Sequence, residues 1–436
     1  MRWPCRASVV GVLASLGLGS GPMSSETVEL RGHIIDSLIL PKVLDEILTR
    51  GGGFTIGEIK IGQRRADQSY ARIEVSAPSS ETLDDIVLRL RQHGAAVVER
   101  AEVRTARSPA DGVFPHGFYV TTNQQTFLQL DDSEVPVESP MIDSAIAIDR
   151  EKRRARCVKF AEIRKGDEVV VGHQGIRVQP AERDTSERNI FQFNANVSAE
   201  TPKTAIIRQL ARECQRIRQE NGNILVVAGP SVVHTGAGVH LEKLIERGFV
   251  QRLFTGNGLA VYDVESVLYG TSLGVSIERG GPTEAGRENH MHAINQIRAA
   301  GGIAAAVAQG LLTRGIMHAC VKHGVDIVLS GSIRDDGPIP GVTTDALEAQ
   351  RIMRDKLQDV SLVLMMGSML HSIAVVNMVP ATVKIVCVDI DPRVVSRLTN
   401  QQTFQALGLV TDVEPFLREL VEGLESSSET NGSAAR

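Results

Sequence analysis

The 436-residue chain is short of the features that assign a protein fastest. No strand-like run is followed by GxGxxG, so the usual dinucleotide fingerprint is missing. An ordinary Rossmann enzyme is therefore disfavoured against another doubly wound nucleotide-binding fold. Cysteines are few and unevenly spaced (Cys5, Cys157, Cys214, Cys320, Cys387), and most sit inside apolar patterns, as reduced buried thiols do and disulfide frameworks do not. No CxxC pair or His/Cys spacing suggests a metal, and none is expected. With a net charge of −5 and no basic stripe interleaved with aromatics, nothing argues for nucleic acid. No apolar run is long enough to span a bilayer, so no membrane partner is expected. At 42% hydrophobic and 23% charged residues, the chain can bury sizeable cores and divide into two or three domains.

What is present is a repeated strand-to-turn pattern. VKIVCVDID is too uniformly apolar for a half-exposed strand and stops at Asp389 and Asp391, ahead of a helical PRVVSRL. It reads as a buried parallel strand that delivers carboxylates to its C-terminal edge, where open parallel sheets bind ligands and where an acid can accept from a ribose diol. NILVVAGPSVVHTGAG, VQRLFTGNGLA, VDIVLSGSIRDDGP and VSLVLMMGSMLHS repeat the pattern. Any one of these turns is an ordinary strand-to-helix connection. Together they build one sheet whose small rim residues let backbone amides and helix N-termini approach a diphosphate.

The rest of the chain divides by pattern. Residues 1–25 open with a basic, then apolar, then small-residue stretch that reads either as a secretory signal or as an upstream extension before Met23. The second is favoured, since a dinucleotide-dependent domain belongs with the cytoplasmic cofactor pool. Residues 26–106 alternate as βαββαβ, a ferredoxin-like module, with Leu83, Ile86, Val87 and Leu90 on one helical face and Ser79 or Ser80 as its cap. Such modules bind small ligands or pair between subunits, and a homo-oligomer is expected. Residues 107–197 form short strands between Gly, Asp and Pro turns, a small β-rich domain. Residues 198–424 start with a helix striped by Ile206, Leu210, Cys214 and Ile217, ended by Asn221-Gly222, and continue as the α/β domain. The polar tail, 425–436, is expected to be disordered. The fold class is thus α/β: a C-terminal doubly wound parallel sheet preceded by the ferredoxin-like and β-rich parts.

FPHGFYVTTNQQT, VVAGPSVVHTGA, GNGLAVYDVE, GTSLGVSI, RENHMHAINQIRAAGG, VLSGSIRDDGPIP, SMLHSIAVVNM, VCVDIDP and ALGLVTDV occur in that order over roughly residues 26–422. Together they resemble the LOR/SDH-domain family, which includes archaeal-type ornithine cyclodeaminases and the C-terminal half of cyanobacterial arginine dihydrolase/ornithine cyclodeaminases. The resemblance implies conversion of L-ornithine to L-proline and ammonia with NAD as a recycled redox partner. The cofactor would do the redox work and the protein would hold the amino-acid substrate and move protons between its amines.

The resemblance also implies a residue set. Cofactor contacts fall on Asn257 and Gly258, Asp336, the turn Gly367-Ser368-Met369-Leu370-His371, Asp389 as ribose acceptor, then Asp412 and Val413, with Asp391 the alternative to Asp389. The chain departs from the family at Gly258, where Ala is usual, and at Gly367-Ser368, where Ala-Thr is usual. These are small-for-small exchanges that leave loop geometry open. Asp335, Asp336, Arg334 and His290 are the candidate catalytic groups, and Asn123, Arg279, Arg287 and Asn289 the candidate substrate contacts. Each has a plainer reading: turn chemistry for Asp335 and Asp336, a solvated helix start for Asn289 and His290, a β-turn for Asn123, and surface exposure for Arg279. Cys320 reads as core. Two further functions compete with cyclodeamination: a saccharopine-type or other amino-acid dehydrogenase, and a nonenzymatic amino-acid or NAD sensor.

Overall fold

The computed structural model describes residues 24–32, 34–35, 38–62, 67, 69–97, 102–131, 133–179, 196–197, 203–277, 286–399 and 406–433. The N-terminal segment to residue 22 and its two readings lie outside them. The chain falls into two units, one holding residues 1–102 with 173–178 and the other 103–172 with 179–436.

The first unit contains β1 (Ser24–Gly32), α1 (Ile39–Thr49), β2 (Gly53–Lys60), β3 (Ser69–Ala77), α2 (Ser80–Gln92) and β4 (Ala96–Val97). The strands are antiparallel in the order β2-β3-β1-β4, the ferredoxin-like arrangement. Alternation on β1 and β3 buries Val28, Leu30, Ile73 and Val75 on one face. Leu83, Ile86, Val87 and Leu90 of α2 cover that face, as their spacing requires. Ser79 Oγ accepts from the Thr82 amide at 3.1 Å and caps the helix.

The second unit begins with β5 (Thr105–Arg107), β6 (Gln125–Leu130), β7 (Ser133–Glu138), β8 (Ala145–Asp149), β9 (Arg154–Val158) and β10 (Glu168–Val170), ordered β6-β7-β9-β8-β10-β5. After β11 (Ile176–Gln179) and β12 (Asn196–Val197) come α3 (Lys203–Gln219), β13 (Asn223–Ala228), α4 (Ser231–His234), α5 (Gly238–Glu246) and β14 (Arg252–Gly256). Then follow α6 (Asn257–Tyr269), a hairpin β15 (Thr271–Ser272) and β16 (Val275–Ser276), α7 (Gly286–Ala300), α8 (Ile303–Ala308), α9 (Ile316–His323), β17 (Asp326–Ser330) and β18 (Val342–Thr343). The chain closes with α10 (Ala346–Asp355), β19 (Val360–Met366), α11 (Met369–Val376), β20 (Lys384–Asp389), α12 (Pro392–Thr399), β21 (Ala406–Val410) and α13 (Val413–Ser433). That last helix carries through SSSETNGS, where a disordered tail is the sequence expectation: none of those residues is a proline, and propagating a formed helix adds one bond per residue.

The large sheet runs β12-β21-β20-β19-β13-β14-β17-β18, parallel throughout. Counted along the chain, its six long strands read 6-5-4-1-2-3, the doubly wound order with its switch point between β13 and β19. The central strands are apolar on both sides because separate cores cover the two faces, one built with α3, α5, α6, α9 and α13, the other with α10, α11 and α12. Asn221 adopts φ 56° to close α3, which is stopped by the expected residue. The β-rich strands share this unit instead of forming a body apart: the Ile142 amide donates to Asn377 O at 3.2 Å, the Ala381 amide to Asn123 O at 2.9 Å, and Arg354 pairs with Glu162.

Helix α6 is buried on most of its surface, including the polar Asn257, Asp263 and Glu265. Asp263 caps α9 from outside: its carboxylate accepts the Ile316 and Met317 amides at 2.9 and 2.8 Å, where Gly315 offers no side chain of its own. Burial pushes this carboxyl from the ordinary 3.8 to about 7, against the pull of the two amides. A pKa raised in the folded state contributes stability that is complete below the unfolded value and is lost as pH rises through the folded one. Urea unfolding of the parent and Asp263→Asn should therefore give a stability difference that moves against the parent between about pH 4 and about pH 7. A difference that is flat over that window would exclude the assignment.

Candidate active site at the C-terminal rim

At the switch point two turns meet backbone to backbone. A Cβ on Gly229, after β13, would lie 1.9 Å from Gly367 O, and one on Gly367, after β19, would lie 1.6 Å from Ser231 Oγ. Gly367 also takes φ 59°, which favours glycine. The small-for-small exchange at this position is therefore not a free one here: Gly367 fits by conformation as well as by size. At Gly258 it is free, since an added Cβ would make only ordinary contacts, with the Tyr262 ring at 3.6 Å and Pro230 Cγ at 3.8 Å. Beyond Gly367, Ser368 is the N-cap of α11 but its hydroxyl pairs with His371 Nδ1 at 3.0 Å, and no side chain caps the helix. Its first amides face the rim with the positive end of the helix behind them. Met369 and Leu370 are exposed there.

The other rim carboxylates differ in how they are engaged. Asp389 Oδ1 accepts the Asp391 amide at 2.9 Å, which fixes the turn after β20. Asp391 is paired with Arg393 at 2.8 Å, so of the two Asp389 is the better placed for a diol. Asp412 Oδ1 accepts the Glu414 amide at 3.4 Å at the start of α13, and buried Val413 lies beside Gly367. Asn257 spends both ends of its amide on the next loop, donating to Gly337 O at 3.3 Å and accepting from the Ile339 amide at 3.1 Å. Any cofactor contact from Asn257 would come through its backbone.

That loop carries the Arg334-Asp335-Asp336 cluster. Asp335 closes its own turn by accepting the Ser332 amide at 2.8 Å, and Arg334 is exposed. Asp336 reaches back: its Oδ2 lies 3.6 Å from His290 Nε2. His290 is buried on α7, and its Nδ1 lies 3.1 Å from Oε2 of fully buried Glu265. Glu265 further accepts from Thr271 Oγ1 at 2.8 Å and from the Gly274 and Leu273 amides at 3.0 and 3.1 Å. Burial pushes the Glu265 carboxyl up, but the hydrogen bonds from His290, Gly274, Thr271 and Leu273 outweigh it and hold the group below the usual range. The Tyr262 ring packs at a tilt between His234 and His290, with centroids at 4.7 and 5.1 Å and interplanar angles of 48° and 39°. On the far side His371 lies over Gly256, and the buried Ser330 hydroxyl at the end of β17 has no hydrogen-bond partner among the described residues.

His290 and Asp336 lie together at the C-terminal rim, on the same edge of the sheet as the Gly367–His371 turn. Asn289 is near but turned to Thr271 Oγ1 at 3.2 Å, supporting the Glu265 network from behind. Arg287 stands in the first turn of α7, and Arg279 lies outside the described residues. Asn123 lies apart from that rim: its amide donates to Val379 O at 3.4 Å, after α11 and before β20, hence at the N-terminal edge of the sheet. A helix that descends from one edge to the other carries its C-terminal neighbours away from the site. Glu265, Tyr262 and His234 were missed. A carboxylate inside the apolar run of VYDVESVLY was the available signal. Cys157, Cys214, Cys320 and Cys387 are buried and unpaired, and burial pushes the Cys320 thiol up, which suits core. Among the described residues no cluster could hold a metal ion, and no helix is long and apolar enough to cross a membrane.

Comparison with known proteins places this geometry. Residues 25–124 match the LOR/SDH bifunctional enzyme conserved region; residues 125–207 and 208–420 match the first region and the Rossmann fold of the C-terminal part of arginine dihydrolase ArgZ-like proteins. The ornithine cyclodeaminase of Methanopyrus kandleri is 50% identical over 92% of this chain and 97% of its own. A crystal structure of an LOR/SDH protein from Methanococcus maripaludis superposes with TM-score 0.71 at 42% identity, over 76% of this chain and all but 1% of its own, 99%. AgrE in ternary complex with ornithine and NAD+ superposes with TM-score 0.51 at 36% identity, over 94% of this chain and 58% of its own.

The glycine geometry sets a test. Gly258→Ala should keep both fold and dinucleotide affinity, whereas Gly229→Ala should lose both, because a carbonyl at 1.9 Å cannot step aside as a side chain can. Thermal unfolding and NAD titration of the two variants decide it; a normal Gly229→Ala protein would remove the backbone contact from the account.

Proposed function

The chain belongs to the LOR/SDH, ArgZ-like family, and from that premise we infer that it is an NAD-dependent ornithine cyclodeaminase, converting L-ornithine to L-proline and ammonia. The observation that carries this reading is the convergence, at one sheet rim, of a glycine cradle and a buried imidazole facing a carboxylate. The cradle suits NAD on steric grounds, since Gly229 and Gly367 leave room only for backbone and the uncapped start of α11 favours a diphosphate. In this reading the Gly367–Leu370 amides hold the diphosphate and Asp389 takes the ribose diol. Bound NAD supplies the redox chemistry, oxidation at the substrate α-carbon and return of the same reducing equivalents to the cyclic imine.

The protein's own part is proton transfer and positioning. An amine must lose its proton before the α-carbon can be oxidised, and ammonia must be protonated as it leaves. His290 is the exchangeable group for both tasks, with Asp336 beside it. Ser330, Asp335, Arg334 and the start of α7 complete the substrate's surroundings. We extend the reading to a homo-oligomer, supported by the exposed Ile56 and Ile59 on edge strand β2, and to the cytoplasm, supported by four buried unpaired cysteines.

Recycling has a consequence that separates this function from a net dehydrogenase. Ornithine deuterated at the α-carbon should give proline that keeps the label, with no lasting rise in NADH absorbance. Asp336→Asn should slow turnover by about 10²–10⁴-fold, the usual cost of impaired proton transfer, and far more than it weakens NAD binding. Label appearing on released NADH, or a fully active Asp336→Asn enzyme, contradicts the assignment.

A further inference from the structure

Glu265 is fully buried in the middle of α6, and four donors converge on it: Thr271 Oγ1, the Leu273 and Gly274 amides, and His290 Nδ1. The hydroxyl is itself oriented, because Asn289 Nδ2 donates to Thr271 Oγ1 at 3.2 Å and leaves the Thr271 proton for the carboxylate. An ionised carboxylate only accepts. The proton of the 3.1 Å contact must therefore sit on His290 Nδ1, and in the neutral ring Nε2 is a bare lone pair. Nε2 faces Asp336 Oδ2 at 3.6 Å. With the ring neutral, both are acceptors and have nothing to share until a donor arrives. A primary ammonium carries three N–H groups and can give one to each.

We infer that Glu265 is a positioning residue that holds His290 as its Nδ1–H tautomer, so that Nε2 and Asp336 Oδ2 form a two-acceptor seat for a primary ammonium of the substrate. The seat explains why a fully buried carboxylate is kept in the middle of α6. It assigns Asn289 to the support of Thr271, not to the substrate. The other charged or titratable neighbours are placed to modulate the seat: Tyr262 of the same helix packs against His290, His234 of α4 packs against Tyr262, and Arg334 and Asp335 lie on the loop that carries Asp336. This inference rests on the amino-acid reading of the site for the identity of the ammonium, and on geometry alone for the tautomer.

Two measurements test it. Nitrogen-15 NMR of histidine-labelled protein with NAD bound, assigned against His290→Asn, should report the Nδ1–H form for His290; the Nε2–H form overturns the proposal. This readout needs no substitution at Glu265 and does not depend on turnover, so it stands even if ornithine proves not to be the substrate. In Glu265→Gln the amide can donate to Nδ1 and favour the opposite tautomer. That variant should lose about 10²–10⁴-fold in kcat, and the acid limb of its kcat/KM profile should move to lower pH by about one unit or more, as a neighbouring negative charge is removed. NAD affinity should stay within about twofold, because that ligand is held at the other turns, which separates a positioning role from general damage. An unchanged acid limb in a folded, NAD-binding Glu265→Gln protein overturns it. If Glu265→Gln does not fold, the NMR result decides.

Discussion

A buried carboxylate is stable only with its lone pairs occupied, and α6 carries two of them. Asp263 is satisfied by the first amides of α9, Glu265 by the hairpin after α6 and by His290. Those two requirements fix where α9, the hairpin and α7 must lie around α6, and so fix the imidazole in space. Asn257, at the start of the same helix, holds the loop that brings Asp336 to the other side of that imidazole. One helix thus positions the His290 side of the rim from three directions, using buried polar groups that water cannot compete for.

The opposite side of the rim is built by exclusion. The turns after β13 and β19 are pressed together at Gly229 and Gly367, leaving backbone amides as the surface a ligand meets. Strand order brings these two turns together at the switch point, and glycine lets them approach. A cofactor held between them would reach toward the β14 and β17 ends, where Gly256, Ser330 and His371 lie. On the proposed reading the cofactor seat and the proton-transfer groups would therefore lie at neighbouring strand ends of one sheet, which suits a reaction that oxidises and reduces the same substrate without releasing it.

Much of the fold was legible in the chain because its signals are local. The βαββαβ module follows from alternation on β1 and β3, from the one-sided apolar spacing of α2, and from a serine cap. The parallel sheet follows from uniformly apolar runs that end in small or acidic residues, even with no GxGxxG. The small-residue turns after β13 and β19 could be read the same way, since turn composition after a buried strand is itself the physical requirement for a diphosphate. The resemblance to a known family then tied those turns to a reaction.

The sequence by itself determined which segments become strands and helices, that a nucleotide-sized rim exists, and that His290 and Asp336 are candidates for it. Tertiary structure decided the partners. Asn123 and the rim residues belong to the same resemblance, yet α11 carries the Val379–Ala381 contact to the far edge of the sheet. Asp335 and Asp336 are neighbours in sequence, yet one closes its turn while the other faces an imidazole. Glu265 has no local signature beyond a charge in an apolar helix, because its role depends on donors 6 to 25 residues away. Hydrogen-bond satisfaction of a buried charge is a property of the packed whole, and no window of sequence contains it.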